Sequence, residues 1–121
     1  MSTLNVSNIT DGTTTVGTSY VVNGSAKAWC ANSQTAIADS FNCASITDNS
    51  AGNLTVSYTN NFASANYGLG TTTQYRRSNY QNSQAAGSIQ FFFTDPNASE
   101  TNGVDIGNAN GCVWAAHGDL A

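Results

Sequence analysis

The sequence predicts an all-β protein: a single-domain antiparallel β-sandwich or jelly roll of about eight short strands, with almost no helix. Asn, Ser and Thr supply 45 of the 121 residues, and these, with the Val, Tyr and Phe of the chain, favour turns and strands. No stretch repeats apolar residues at the three-and-four spacing of an amphipathic helix. The length of 121 residues fits one domain, placed at residues 1–121.

The N-terminal part of the chain is predicted to hold three strands separated by two turns. We expect these strands near residues 4–9, 14–22 and 25–31. Asp11-Gly12 marks the first turn and Asn23-Gly24 the second, because Gly after Asp or Asn favours tight hairpin turns.

The clearest local prediction is a hairpin in the middle of the chain. Residues 54–59 alternate apolar and polar side chains, so that Leu54, Val56 and Tyr58 would face a core. Residues 41–46 form the preceding strand. The polar run between the two strands predicts a turn of about five residues.

Three further strands are predicted downstream, at residues 67–75, 88–93 and 113–117. Residues 74–85 lack strand alternation and are interpreted as a long exposed loop. Asp95-Pro96-Asn97 ends the Phe-rich strand, and the Asn/Gly-rich residues 100–111 predict a long surface loop.

The charge balance argues against several partners. Three basic and seven acidic residues give a net charge of −4, which would repel a nucleic-acid backbone. No apolar run approaches the ~18 residues that a membrane span needs, and the N-terminus lacks the pattern of a signal peptide. We therefore expect a soluble protein made in the cytoplasm, with no nucleic-acid partner and no membrane insertion.

The residues that carry chemistry form no recognisable motif. Cys30, Cys43 and Cys112 include no C-x-x-C pair, so we expect no metal and no cofactor, and either three reduced buried thiols or one bridged pair. The only His is His117, and the acids are scattered beside turn residues. The sequence therefore predicts no catalytic residues and no enzyme.

The aromatic residues divide into expected core and expected contact positions. Trp29 and Trp114 lie in strand-like runs and are expected in the core. The candidate contacts with a partner or with other copies of the chain lie in the loop-like stretch; they are Tyr75, Arg76, Arg77 and Tyr80.

Phe92 is a further candidate for an oligomer contact. In the run Phe91-Phe92-Phe93, Phe92 places a ring on the face opposite to its two neighbours. A chain of 12.6 kDa has little mass with which to cover both faces of a strand. This predicts an obligate oligomer.

Several segments resemble a β-rich domain that recurs in tailed-bacteriophage tail-fibre-like and virion surface proteins. The segments are residues 20–29 (YVVNGSAKAW), 39–49 (DSFNCASITDN), 52–56 (GNLTV), 65–67 (ANY) and 117–121 (HGDLA). They fall in the order of that family and span nearly the whole chain. The family offers no catalytic residues to carry over.

The resemblance implies a phage structural protein that is assembled on the virion after synthesis in the host bacterial cytoplasm. We expect a capsid decoration or cement protein. Because three-fold assemblies are common among rigid virion β-domains, we expect it to be a trimer. Its N-terminal strand or its acidic face would meet the major capsid protein. The alternative is a tail- or head-fibre component that binds host surface glycan. A polysaccharide-degrading enzyme is the third possibility, but the sequence identifies no acid pair for it.

Overall fold

The computed structural model describes residues 2–73, 77–97, 102–107 and 110–121. This part of the chain forms ten strands and one helix, so the predicted all-β class is confirmed. In chain order the elements are β1 Asn8–Thr10, β2 Thr15–Gly17, α1 Thr18–Gly24, β3 Ala28–Asn32, β4 Ile37–Phe41, β5 Cys43–Ser50, β6 Asn53–Tyr58, β7 Gly68–Thr73, β8 Ser78–Ala85, β9 Ser88–Thr94 and β10 Cys112–His117.

Two four-stranded antiparallel sheets make the sandwich, and β1 and β2 form a separate hairpin. The first sheet has the order β4-β3-β10-β7 and the second the order β5-β6-β9-β8. Their inner faces meet around Trp114, whose ring centroid lies 5.7 Å from that of Phe91 and 6.2 Å from that of Tyr58. One cluster of buried apolar side chains therefore joins the two sheets.

The predicted central hairpin is confirmed as β5 and β6. Leu54 and Val56 are fully buried and Tyr58 nearly so, while the residues between them are half-exposed. The turn is shorter than predicted, because Ser50 pairs with Asn53. Gly52 has φ 69°, a left-handed conformation that Gly adopts without steric cost.

The strand predicted at residues 41–46 is divided between the two sheets. Phe41 ends β4 in the first sheet and Cys43 opens β5 in the second. Asn42 between them has φ 58°, and its Nδ2 donates to the carbonyls of Lys27 at 3.0 Å and Asn60 at 2.9 Å. Asn tolerates this conformation better than most residues, so it marks the crossing point.

The strand predicted at residues 14–22 is wrong beyond β2. Residues 18–24 form the helix α1, although Val21 and Val22 have modest helix propensity. The Nζ of Lys27 donates to the carbonyl of Val22, and a cation at the last turn stabilises a helix. Asn23-Gly24 therefore ends a helix instead of closing a hairpin.

The long exposed loop predicted at residues 74–85 is also wrong in its described part. Residues 78–85 form β8, the edge strand of the second sheet, where Tyr80 pairs with Phe92 and Gln84 with Ile89. Most of β8 is exposed. It lacks alternation because backbone pairing to β9, more than side-chain burial, holds it in place.

The surface loop predicted at residues 100–111 packs against the sandwich over residues 102–107. Ile106 is only 3% exposed, and its carbonyl accepts from the backbone N of Gln34 at 2.9 Å. Asp105 Oδ1 accepts from the N of Gly52 at 2.8 Å. This segment therefore fastens the turn between β5 and β6 to β9, whose Phe93 carbonyl accepts from the N of Val104.

Candidate functional site

The candidate contact residues predicted from the sequence divide between described and undescribed positions. Tyr75 and Arg76 lie outside the described residues. Arg77 precedes β8, and its Nη1 lies 3.4 Å from Asp95 Oδ2 in a partly exposed ion pair. A partly exposed pair of this kind contributes little to stability, and the Arg77 side chain itself is 24% exposed.

Tyr80 and Phe92 lie side by side on the outer face of the second sheet. Their ring centroids are 5.2 Å apart. Tyr80 is 48% exposed. Phe92 is more covered and is half-buried, because Tyr80 lies against it and Gly103 is close to its ring. The chain therefore covers part of Phe92 itself, and Phe92 alone gives weaker support to an oligomer than the sequence suggested.

A shallow cavity adjoins this aromatic pair. It has a volume of about 250 Å³ and is lined by Ser78, Tyr80, Thr94 and Pro96. An exposed aromatic face beside hydroxyl groups can stack on the apolar face of a sugar ring and hydrogen-bond to its hydroxyls. The cavity is thus a candidate binding site on the second sheet for a sugar or another small polar ligand.

Among the described residues, the longest stretch without a buried side chain includes the N-terminal arm, residues 2–25. It comprises β1, β2 and α1, and none of its residues is buried. Seven of its larger apolar side chains are exposed, namely Leu4, Val6, Ile9, Val16, Tyr20, Val21 and Val22. This density of exposed apolar side chains in one segment makes the arm a candidate interaction surface.

Local hydrogen bonds nevertheless give the arm a defined shape. Thr18 Oγ1 donates to the carbonyls of Val6 at 3.0 Å and Ser7 at 3.1 Å, which fixes the segment before β1 against the start of α1. The backbone N–H groups of Thr14 and Thr13 donate to Asp11 and lower the pKa of its carboxyl group. The arm is therefore preorganised, which reduces the entropy that binding would cost.

A second uncovered apolar surface lies on the outer face of the first sheet. This outer patch consists of Trp29, Phe41 and Val113, which are 36%, 53% and 42% exposed. Trp29 pairs with Phe41 on one side and with Ala115 on the other. The expectation that Trp29 is a core residue is wrong, whereas Trp114 is in the core at 2% exposed.

The alternation of side chains along β3 explains why Trp29 points outward. Ala28 and Cys30 are fully buried, and successive side chains of a strand point to opposite faces. The arm leaves the sandwich beside this patch, since the N of Lys27 donates to the carbonyl of Ala116 and His117 Nδ1 lies 3.0 Å from the carbonyl oxygen of Gly24. The arm and the outer patch thus meet at one end of the first sheet.

Titratable side chains are dispersed in the described structure. Within residues 2–73, 77–97, 102–107 and 110–121, no three His, Cys, Asp or Glu side chains are grouped as metal ligands. Among these same residues no helix has the length and apolar character to cross a membrane. His117 contacts the arm, and Asp48 Oδ1 accepts from Gln34 Nε2 at 2.9 Å, so both have structural partners.

The structure thus offers two candidate surfaces, the arm with its outer patch and the cavity beside Tyr80. The sequence indicated the second through Tyr80 and indicated the first only as an N-terminal strand facing the capsid. The alternation of Leu4 and Val6 with polar residues was the available signal for the arm. A scan against protein-family models and searches of curated proteins and of solved structures found no significant match to this chain.

Proposed function

We propose that this chain is a bacteriophage virion structural protein, a small capsid decoration or cement protein that assembles as a homotrimer on the particle surface. The observation that carries the proposal is the N-terminal arm, whose seven apolar side chains face solvent in the single chain. The phage assignment rests on the sequence resemblance set out above. Assembly would give the arm the partner that its own sandwich does not supply.

The composition of the arm suits an interface core. Asp11 is its only charged residue, and charged residues are depleted in the cores of protein interfaces. Complete burial of one Val, Leu or Ile side chain contributes about 1.5–3 kcal/mol. These side chains are 38–84% exposed, so burial of all seven, and not of a few, is what would offset the loss of translational and rotational freedom on assembly.

The outer patch of a neighbouring copy is an apolar surface on which the arm can pack. Arm and patch are different surfaces of one chain, so their contact between copies is heterologous. A heterologous contact closes into a ring when the rotation between copies allows it. A three-fold ring of this kind would use the arms between copies and leave the acidic surface of a chain with net charge −4 to meet the major capsid protein.

The double substitution Leu4→Ser/Val6→Ser is expected to convert the trimer into monomers. Both side chains are exposed in the single chain, so their loss removes apolar area from the interface and nothing from the core. Native mass spectrometry of the full chain at micromolar concentration measures the change, from three chains of 12.6 kDa each to one.

The matched control is Thr3→Ser/Asn5→Ser, which alters the polar residues that alternate with Leu4 and Val6 in the same segment. It is expected to remain trimeric. A wild-type chain that is monomeric at micromolar concentration would overturn the trimer. In purified virions, quantitative mass spectrometry should find a copy number comparable with that of the major capsid protein; far fewer copies would favour a fibre component instead.

The alternative function, a fibre component that binds host surface glycan, is favoured by the cavity beside Tyr80. It predicts that Tyr80→Ala reduces glycan binding by roughly 2- to 12-fold, because the ring forms one wall of the cavity and stacking contributes on the order of 0.5–1.5 kcal/mol. A glycan array followed by titration calorimetry measures this. The control is Gln81→Ala, the exposed next residue of β8, and equal binding by both variants would contradict the glycan role.

A further inference from the structure

The two sheets of the sandwich each contribute a thiol to one place in the core. Cys30 lies on β3 of the first sheet and is fully buried, while Cys43 opens β5 of the second sheet and is half-buried. Only 12 residues separate them in the sequence, and these include the whole of β4. Both are free thiols in the structure.

The backbone crossing at Asn42 brings these thiols together. Cys43 Sγ lies 3.4 Å from the carbonyl oxygen of Trp29, the residue that directly precedes Cys30. The two thiol groups also influence each other, which raises the pKa of Cys43 far above its usual value and lowers that of Cys30. A Cys43 sulfur that touches the backbone directly before Cys30 places the two cysteines side by side on different strands, which a disulfide requires.

Cys112 is placed differently, although it too is buried. On β10 it pairs with Asn32, whereas Cys30 pairs with Trp114. Cys30 and Cys112 are thus diagonal neighbours across the ladder, whose Cα atoms lie about 7–8 Å apart. Disulfides need about 4.4–6.8 Å between Cα atoms, so the register of β3 and β10 disfavours this pair.

We propose that Cys30 and Cys43 form an intrachain disulfide when the protein meets an oxidant, and that this bond cross-links the two sheets. With hydrogen peroxide as the oxidant, one of the two thiols is first oxidised to a sulfenic acid and one water is released. The sulfur of the other Cys then attacks the sulfenic sulfur, the S–S bond forms, the S–O bond breaks and a second water leaves. This inference is independent of the virion role.

The bond has a structural consequence for the edge of the first sheet. It closes the loop that contains β4, which reduces the freedom of the unfolded chain and thereby stabilises the fold. The oxidised protein is expected to have a Tm higher than the reduced protein by roughly 5–15 °C. A reducing compartment would hold the open form and an oxidising one the cross-linked form.

The test treats the full reduced chain with hydrogen peroxide and measures its intact mass and its thiol content in denaturant. We expect the loss of two hydrogen atoms per chain, a single remaining thiol at Cys112, and one cross-linked peptide that joins Cys30 to Cys43. Cys112→Ser is the matched control and should cross-link as the wild type does, whereas Cys43→Ser should not.

Three outcomes would overturn the inference. They are retention of all three thiols after oxidation, a peptide map that joins Cys112 to either partner, and cross-linking of Cys43→Ser at the wild-type rate. Because peroxide also adds oxygen to thiols and to Met, the mass loss is read together with the peptide map.

Discussion

Replacement of Trp114 by Ala is expected to lower the free energy of unfolding by about 3–5 kcal/mol. The indole is 2% exposed, and it packs on Phe91 and Tyr58 across the gap between the sheets. Its Nε1 donates to Asn32 Oδ1 at 3.2 Å, so the substitution also leaves a buried amide oxygen without its donor. Urea unfolding followed by circular dichroism measures the loss.

The matched control is Trp29→Ala, the same change at the other Trp of the chain. Because Trp29 is 36% exposed on the outer patch and loses less buried area, its removal from a monomer should cost clearly less, about 1–2 kcal/mol. Both changes are best compared in the Leu4→Ser/Val6→Ser background, where assembly does not contribute to stability. Equal losses at the two positions would contradict the assignment of Trp114 to the centre of the core.

Gly103→Ala is expected to release residues 102–107 from the sandwich and to lower the free energy of unfolding by about 1–3 kcal/mol or more. A Cβ at this position would overlap the carbonyl oxygen of Ala51 and would lie 3.1 Å from the Phe92 ring. The obstacle is backbone, which does not yield as a flexible side chain does. Limited proteolysis should cut this segment faster, and thermal unfolding should shift to lower temperature.

Gly107→Ala is the control for this prediction. It introduces the same methyl group in the same segment, but nothing lies within 4 Å of the added Cβ. It is expected to change neither the proteolysis rate nor Tm appreciably. If Gly103→Ala behaved as Gly107→Ala does, the close packing between residue 103 and the turn after β5 would be contradicted.

The parts of the fold that the sequence predicted correctly are those where burial imposes alternation. Leu54 and Val56 on β6 and Ile89 and Phe91 on β9 are fully buried, and their spacing of two residues is visible in the sequence. The class and the central hairpin followed from this pattern. The crossing at Asn42 did not, because a left-handed residue leaves no mark on hydrophobic periodicity.

The errors fall where packing or local capping overrides the pattern. The helix at residues 18–24 has no apolar periodicity to reveal it, since none of its residues is buried, and its C-terminal contact comes from Lys27 outside it. β8 is an exposed edge strand held by pairing with β9. Neighbouring residues of a strand point to opposite faces, so a shift of one residue decides whether Trp29 is buried. The small residues on either side of Trp29 do not indicate which face is inward.

The candidate site was predictable only in its aromatic part. Tyr80 is a candidate because it lies in a loop-like polar stretch and Phe92 because of strand alternation, but their pairing required the register of β8 and β9. The arm needed the structure, because exposure of Leu4 or Tyr20 depends on what the rest of the chain fails to cover. The alternation of apolar residues along a strand shows which side chains share a face, but it does not show what covers that face.

The position of β10 has a consequence for how the protein is made. β10 lies between β3 and β7 in the first sheet, yet it begins at residue 112 while β3 begins at residue 28. The ribosome must therefore deliver residues 112–117 before this sheet can close, and until then β3 and β7 each present an unpaired edge. Long-range pairing of this kind slows folding and exposes nascent strands to aggregation. The strand order thus makes the synthesis of residues 112–117 the step that completes the first sheet.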